Sequence, residues 1–157
     1  MVKLSHKWFG AVEDERRRTV IGDGVEFMRT AVKNNDNFDV IALDACDSGD
    51  QNYRCPAVVF YDAETMKNIH HSLSSRGTLV LNVITTNFTA IVTTVKQHFP
   101  TCFLGVMKSS NRVIGCVKYK MDQTSKTPES MNVKFGISVA KLGLDRLIGG
   151  IVFNEIN

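Results

Sequence analysis

The sequence predicts an α/β fold, a mostly parallel sheet covered by helices with an antiparallel hairpin towards the C-terminus, and three observations carry that expectation. Segments 38–43 (FDVIAL) and 78–84 (TLVLNVI) are apolar along most of their length instead of strictly alternating, as in strands covered on both faces. Between them, Val59, Phe60, Ala63, Met66, Ile69, His70 and Leu73 recur at intervals of three and four, which puts them on one face of a helix. Further on, residues 102–107 and 112–119 are strand-like runs separated by Ser109, Ser110 and Asn111, too little chain for a helix, so an antiparallel hairpin is expected.

Taken in order, Val2, Leu4, Trp8 and Phe9 suit one face of a short helix ending near Gly10. Residues 19–21 read as a brief strand that stops at Gly22-Asp23-Gly24. There Gly24 frees the backbone for a turn, and Asp23 offers a carboxylate near the start of the next helix. Val25, Phe27, Met28, Ala31 and Val32 give that helix its apolar face, and the polar run 34–37 breaks it. The strand 38–43 then opens into a loop carrying Asp44, Asp47 and Asp50, with Cys46, Ser48 and Gly49 between them. Pro56 suits the first turn of the next helix, which should reach about residue 75, with Gly77 ahead of the second strand. A further helix over 88–99 presents Phe88, Ile91, Val92 and Val95 on one face and is closed by Pro100. These elements group as a domain over 1–120 followed by a polar linker and C-terminal extension, 121–157. Within the extension 121–132 is polar and contains Pro128. Beyond it, Val133, Phe135, Ile137 and Val139 alternate as in a strand, whereas Leu142, Leu144, Leu147 and Ile148 could line a helix; both readings stay open.

With 157 residues, 43% apolar, the chain can bury one core, and a net charge of +3 gives no field that argues for nucleic acid or a membrane surface. Arg16, Arg17 and Arg18 stand beside Glu13, Asp14 and Glu15 and read as a solvated turn. Four cysteines without C-x-x-C spacing read as reduced thiols, and the start MVKLSHKWFG lacks the apolar core of a signal peptide, so a cytoplasmic protein is expected. No EF-hand spacing occurs, and no metal is expected. His70 and His71 fall late in a helix, where they meet its dipole, and carboxylates around Cys46 argue against a thiolate nucleophile there.

In open α/β sheets ligands bind beyond the carboxyl ends of the strands, and Asp44 falls at such an end. The stretches HKWFG, IGDGVEF, FDVIALD and RGTLVLNV, in this order, resemble the S-adenosylmethionine-dependent methyltransferases of the spermidine-synthase-like branch, and within it those acting on the lysine and N-terminus of elongation factor 1-alpha. The resemblance implies a Rossmann-like sheet of which this chain carries the second half. It implies S-adenosylmethionine as cofactor, with Asp23 against the adenine and Gly22 and Gly24 letting the backbone approach. It places Asp44 near both the methyl donor and the acceptor amine, with Asp47 as a second catalytic candidate. The implied partners are a protein substrate, elongation factor 1-alpha, and a full-length methyltransferase with which the chain could pair. The family's glycine-rich G-x-G turn and its acidic ribose-binding residue are missing from the sequence, which in family terms starts just after both. The expectation is therefore an incomplete sheet and a chain that alone is inactive. A non-catalytic interaction module and an aminopropyltransferase-like fragment, as in spermidine synthases, stay open as alternatives. So do a plain helix cap for Asp23 and a solvated loop for the three aspartates.

Overall fold

A computed structural model describes residues 2–49, 52–106, 111–122, 124–125, 127–144 and 151–156. Helix α1 (Val2–Phe9) forms as expected, yet it buries none of its side chains: Trp8 and Phe9 stand 69% and 84% exposed. The strand expected over 19–21 does not form; these residues are irregular and exposed, and among the described residues no neighbouring strand offers them a ladder. Helix α2 (Gly24–Lys33) turns Met28 and Ala31 inward, and Asn34 caps its end. Strand β1 (Phe38–Leu43) leads into the acidic loop, and β2 (Tyr53–Cys55) follows it.

The helix read from Pro56 onward is divided. Val58–Tyr61 makes a 3-10 turn, and helix α3 (Ala63–Ser72) starts anew where the Asp62 carboxylate accepts from the backbone N–H groups of Glu64 and Thr65. An aspartate cap of this kind satisfies amides that have no partner within the helix. Strand β3 begins at once and runs from Leu73 to Thr85, five residues earlier than the apolar pattern indicated. Helix α4 (Phe88–His98), strands β4 (Thr101–Val106) and β5 (Arg112–Val117), helix α5 (Pro128–Lys141) and strand β6 (Val152–Glu155) complete the chain.

The strands order as β1-β3-β5-β4-β6, with β2 also on β3. β1 and β3 are adjacent and parallel, joined through α3, as their shared apolar character implied. The expectation of a mostly parallel sheet holds only loosely, since the other pairings among the described residues are antiparallel. The hairpin of β4 and β5 is as expected; Met107, Ser109 and Ser110 lie outside the described residues. The part read as loop over 121–132 turns helical at Pro128, where Thr127 accepts from the Ser130 N–H and proline occupies the first turn. Neither reading of 133–157 holds: Val133 to Val139, read as a strand, lie in helix α5, Leu142 and Leu144 lie beyond its end instead of lining a helix, and Val152–Glu155 forms a strand; Leu147, Ile148 and Gly149-Gly150 lie outside the described residues.

The core lies between the sheet and α3 and α4. Leu79, Leu81 and Val83 project from one face of β3 onto Met66, Ile69, Ile91, Val95 and Phe99. β1 is less buried than its composition indicated, with Val40 59% exposed, because among the described residues it is the terminal strand and pairs on one side only. The cysteines correct the reading of four reduced thiols. Cys102 and Cys116 are direct partners across β4 and β5 and are joined, and Cys46 is joined to Cys55 across the neck of the acidic loop. Sequence spacing did not show these pairs, because strand register and loop closure create them. Among the described residues no helix is long and apolar enough to cross a membrane.

Candidate functional site

The register of β1 on β3 builds the site. Leu43 pairs with Leu81, so the next residues, Asp44 and Asn82, meet at the end of the parallel pair. The Asn82 Nδ2 donates to Asp44 Oδ1 at 2.8 Å. Asp44 is exposed and lines a cleft of about 420 Å³ whose other walls include Phe27, Met28, Leu43, Phe60 and Ile69. A carboxylate fixed by one donor at the mouth of an apolar cleft keeps further acceptor capacity for a ligand N–H.

The loop after Asp44 is pinched shut. Ala57 N donates to Ala45 O and Asp47 N to Arg54 O, each at 2.8 Å, with the Cys46–Cys55 disulfide between these two bonds. The Cys46 sulfur lies 3.7 Å from Asp44 Oδ1. Asp47 folds back on its own turn, its Oδ1 accepting from Gly49 N at 2.8 Å. Asp50 lies outside the described residues.

Asp23 is the N-cap of α2: its Oδ1 accepts from Glu26 N at 2.9 Å. With Gly22, Gly24, Arg18, Val20 and Phe27 it lines a second cleft of about 290 Å³. Gly24 and Phe27 belong to both clefts, so the two carboxylates singled out from the sequence stand at neighbouring hollows. A Cβ at Gly24 would come within 3.1 Å of the Phe60 ring, which gives this glycine a steric reason: the start of α2 presses on Phe60.

A larger cleft of about 450 Å³ lies between Tyr53, Val58, Tyr61, Asp62, Ile91 and Thr94 and contains none of the candidate residues. Burial, and then the nearby Tyr53, raise the Tyr61 phenol well above its ordinary value. His70 packs edge-on against Phe99, 5.3 Å between ring centres. Burial first, then Lys118, His71 and His98, hold its imidazole below the ordinary value of 6.5. The sequence reading missed Asn82, although a single amide inside an otherwise apolar strand, TLVLNVI, is itself a sign that something at that strand needs a hydrogen bond.

No protein-family model matches the sequence. The "eEF1A lysine and N-terminal methyltransferase" of Danio rerio is 28% identical over 125 residues, which is 75% of this chain and 18% of the relative. The "Polyamine aminopropyltransferase" of Pyrobaculum islandicum is 29% identical over 147 residues, 83% of this chain and 49% of the relative. The chain thus spans half or less of the length of these two relatives. In fold it matches the crystal structure of human methyltransferase-like protein 13 in complex with SAH, with a TM-score of 0.78 at 17% identity, over 95% of this chain and 68% of that one. The chain is thus similar in sequence to an eEF1A methyltransferase and to a polyamine aminopropyltransferase, and in fold to methyltransferase-like protein 13.

Proposed function

We propose that this chain is part of an S-adenosylmethionine-dependent protein methyltransferase in which Asp44 receives the acceptor amine, and that the chain alone does not catalyse the transfer. The observation that carries the reading is the Asp44–Asn82 pair at the end of β1, opening on an apolar cleft. An amine reacts through its neutral lone pair. A carboxylate accepting one of its N–H bonds turns that lone pair away from itself and takes up the proton released. Asn82 holds Asp44 for that task. Asp47 is the second candidate, with one oxygen already used by its own turn. The apolar wall of Phe27, Met28 and Phe60 excludes water from the amine and favours its uncharged form. The likeness to the zebrafish enzyme supports a lysine or N-terminal amine of elongation factor 1-alpha as substrate.

S-adenosylmethionine, where bound, supplies the methyl group. The described residues fit it only in part. Gly22, Asp23 and Gly24 offer an adenine-side edge, but one Asp23 oxygen is committed to capping α2. Among the described residues no strand precedes β1, and so none carries a glycine-rich turn or a ribose-binding carboxylate there. We therefore assign no transfer step to the chain by itself. In a full-length enzyme carrying this segment, Asp44→Asn is expected to lower methyl transfer to elongation factor 1-alpha far more than cofactor binding. Equal losses in both would remove Asp44 from the acceptor side.

A second reading is favoured by one observation, the outer edge of β1, unpaired among the described residues, with Val40 59% exposed. An open strand edge is a template for another strand. On that reading the chain is a non-catalytic module that pairs with a partner such as a full-length methyltransferase.

A further inference from the structure

The Cys46–Cys55 pair stands against a carboxylate, unlike Cys102–Cys116, which is buried in the hairpin. One oxygen of Asp44 and the sulfurs of Cys46 and Cys55 all lie within 4.8 Å of one another. We propose that, with these two cysteines reduced, Asp44, Cys46 and Cys55 form a binding site for a thiophilic divalent metal ion of the Zn²⁺ class.

The geometry is close to what such an ion requires. With bonds of about 2.3 Å to sulfur and about 2.1 Å to oxygen, tetrahedral coordination sets neighbouring sulfur and oxygen ligands about 3.6 Å apart. Asp44 Oδ1 and Cys46 Sγ are already 3.7 Å apart. The two sulfurs must part to about 3.8 Å, and the Cys55 sulfur, now within 4.8 Å of the Asp44 oxygen, must come to about 3.6 Å from it, movements within reach of cysteine side-chain rotation. Two backbone bonds hold the loop besides the disulfide, Ala57 N to Ala45 O and Asp47 N to Arg54 O, one on either side of the cysteines. Cys55 is 3% exposed and gives the site a buried floor, while Asp44 and Cys46 are exposed and leave a fourth position open to water. Asn82 donates to this same oxygen, Asp44 Oδ1, and so fixes its orientation, as a group beyond the ligands commonly does at metal sites.

The chemistry balances without an unnamed reagent. A small dithiol reduces the disulfide, breaking the Cys46–Cys55 bond, giving two protein thiols and becoming a disulfide itself. The ion then replaces the two thiol protons, which pass to solvent. Thiol and disulfide forms of this one pair are thereby a metal-binding and a metal-free state of the loop beside Asp44.

The test uses the 157-residue chain reduced with dithiothreitol, freed of it anaerobically and titrated with Co²⁺ as a coloured substitute for Zn²⁺. The expected result is near-ultraviolet thiolate-to-cobalt absorption that saturates at one equivalent and is bleached by Zn²⁺. It is absent from the oxidised chain and from the Cys46→Ser/Cys55→Ser double variant. Asn82→Ala, which leaves all three ligands in place, should weaken the complex by about tenfold or more. No such absorption in the reduced wild type, or an unchanged titration in the double variant, overturns the proposal. Should the double variant not fold by circular dichroism, alkylation of Cys46 and Cys55 in the reduced wild type serves instead. Cobalt absorption persisting after alkylation of both thiols would equally refute the site.

Discussion

Asp23 and Asp44 illustrate how the same side chain takes its meaning from one neighbouring atom. Asp23 accepts from Glu26 N and closes the start of α2, whereas Asp44 accepts from an amide on the next strand and remains at a cleft mouth. The cap makes Asp23→Ala costly in the isolated chain, by about 1 kcal/mol, while Asp23→Asn should lose only a small part of that. Urea unfolding of the two variants reads the difference directly; equal stability of wild type and Asp23→Ala would show that the cap carries no weight. At His70 the prediction concerns pH. Its pKa in the fold lies below the ordinary 6.5, chiefly because of burial, so the unfolded chain takes up a proton first as the solution is acidified. The stability associated with neutral His70 is thus fully present above about pH 6.5 and is lost as pH falls through that value towards the folded pKa. Unfolding curves at pH 7.5 and 5.0 should therefore differ less for His70→Gln than for the wild type.

Among the elements, those set by local periodicity were readable and those set by long-range pairing were not. The spacing of Val25, Phe27, Met28 and Val32 is a property of ten consecutive residues, and helix α2 appeared over Gly24–Lys33. The 19–21 stretch has equally good strand residues but no partner strand among the described residues, and a strand is a relation between two segments. The same distinction explains the site. Asp44 was legible because the end of an apolar strand is visible in sequence. Asn82 beside it, Phe60 under Gly24 and Cys55 across from Cys46 depend on register and loop closure that no single segment encodes. β1 also carries a testable liability. Its exposed Val40 sits on a strand with one neighbour among the described residues, so Val40→Lys should reduce concentration-dependent association of the chain, measured by light scattering, without lowering its melting temperature. Unaltered association in Val40→Lys would show that copies do not meet through this strand.

For the molecule as a whole the decisive measurement is calorimetry of the 157-residue chain with S-adenosylmethionine. A micromolar ligand is held by about 8 kcal/mol, and each missing hydrogen bond to a charged group removes about 1.5 to 3 kcal/mol. With no partners for the ribose and the amino-acid end among the described residues, no micromolar heat is expected. A micromolar isotherm would mean that the neighbouring clefts of Asp23 and Asp44 suffice.

The two ends of the sheet are not alike. At the far end, α5 lends Asn132 to β6: its side chain accepts from Phe153 N at 2.8 Å and donates to Phe153 O at 3.3 Å, an amide acting where a further strand would otherwise bind. The Phe135 ring meets Phe153 from the same helix. Among the described residues one end of the β1-to-β6 order is thus stoppered at Phe153 and the other is open, which gives that order a valence of one for strand addition. Two copies meeting through β1 would form a pair with stoppers outward, and growth would end there instead of propagating into a fibre.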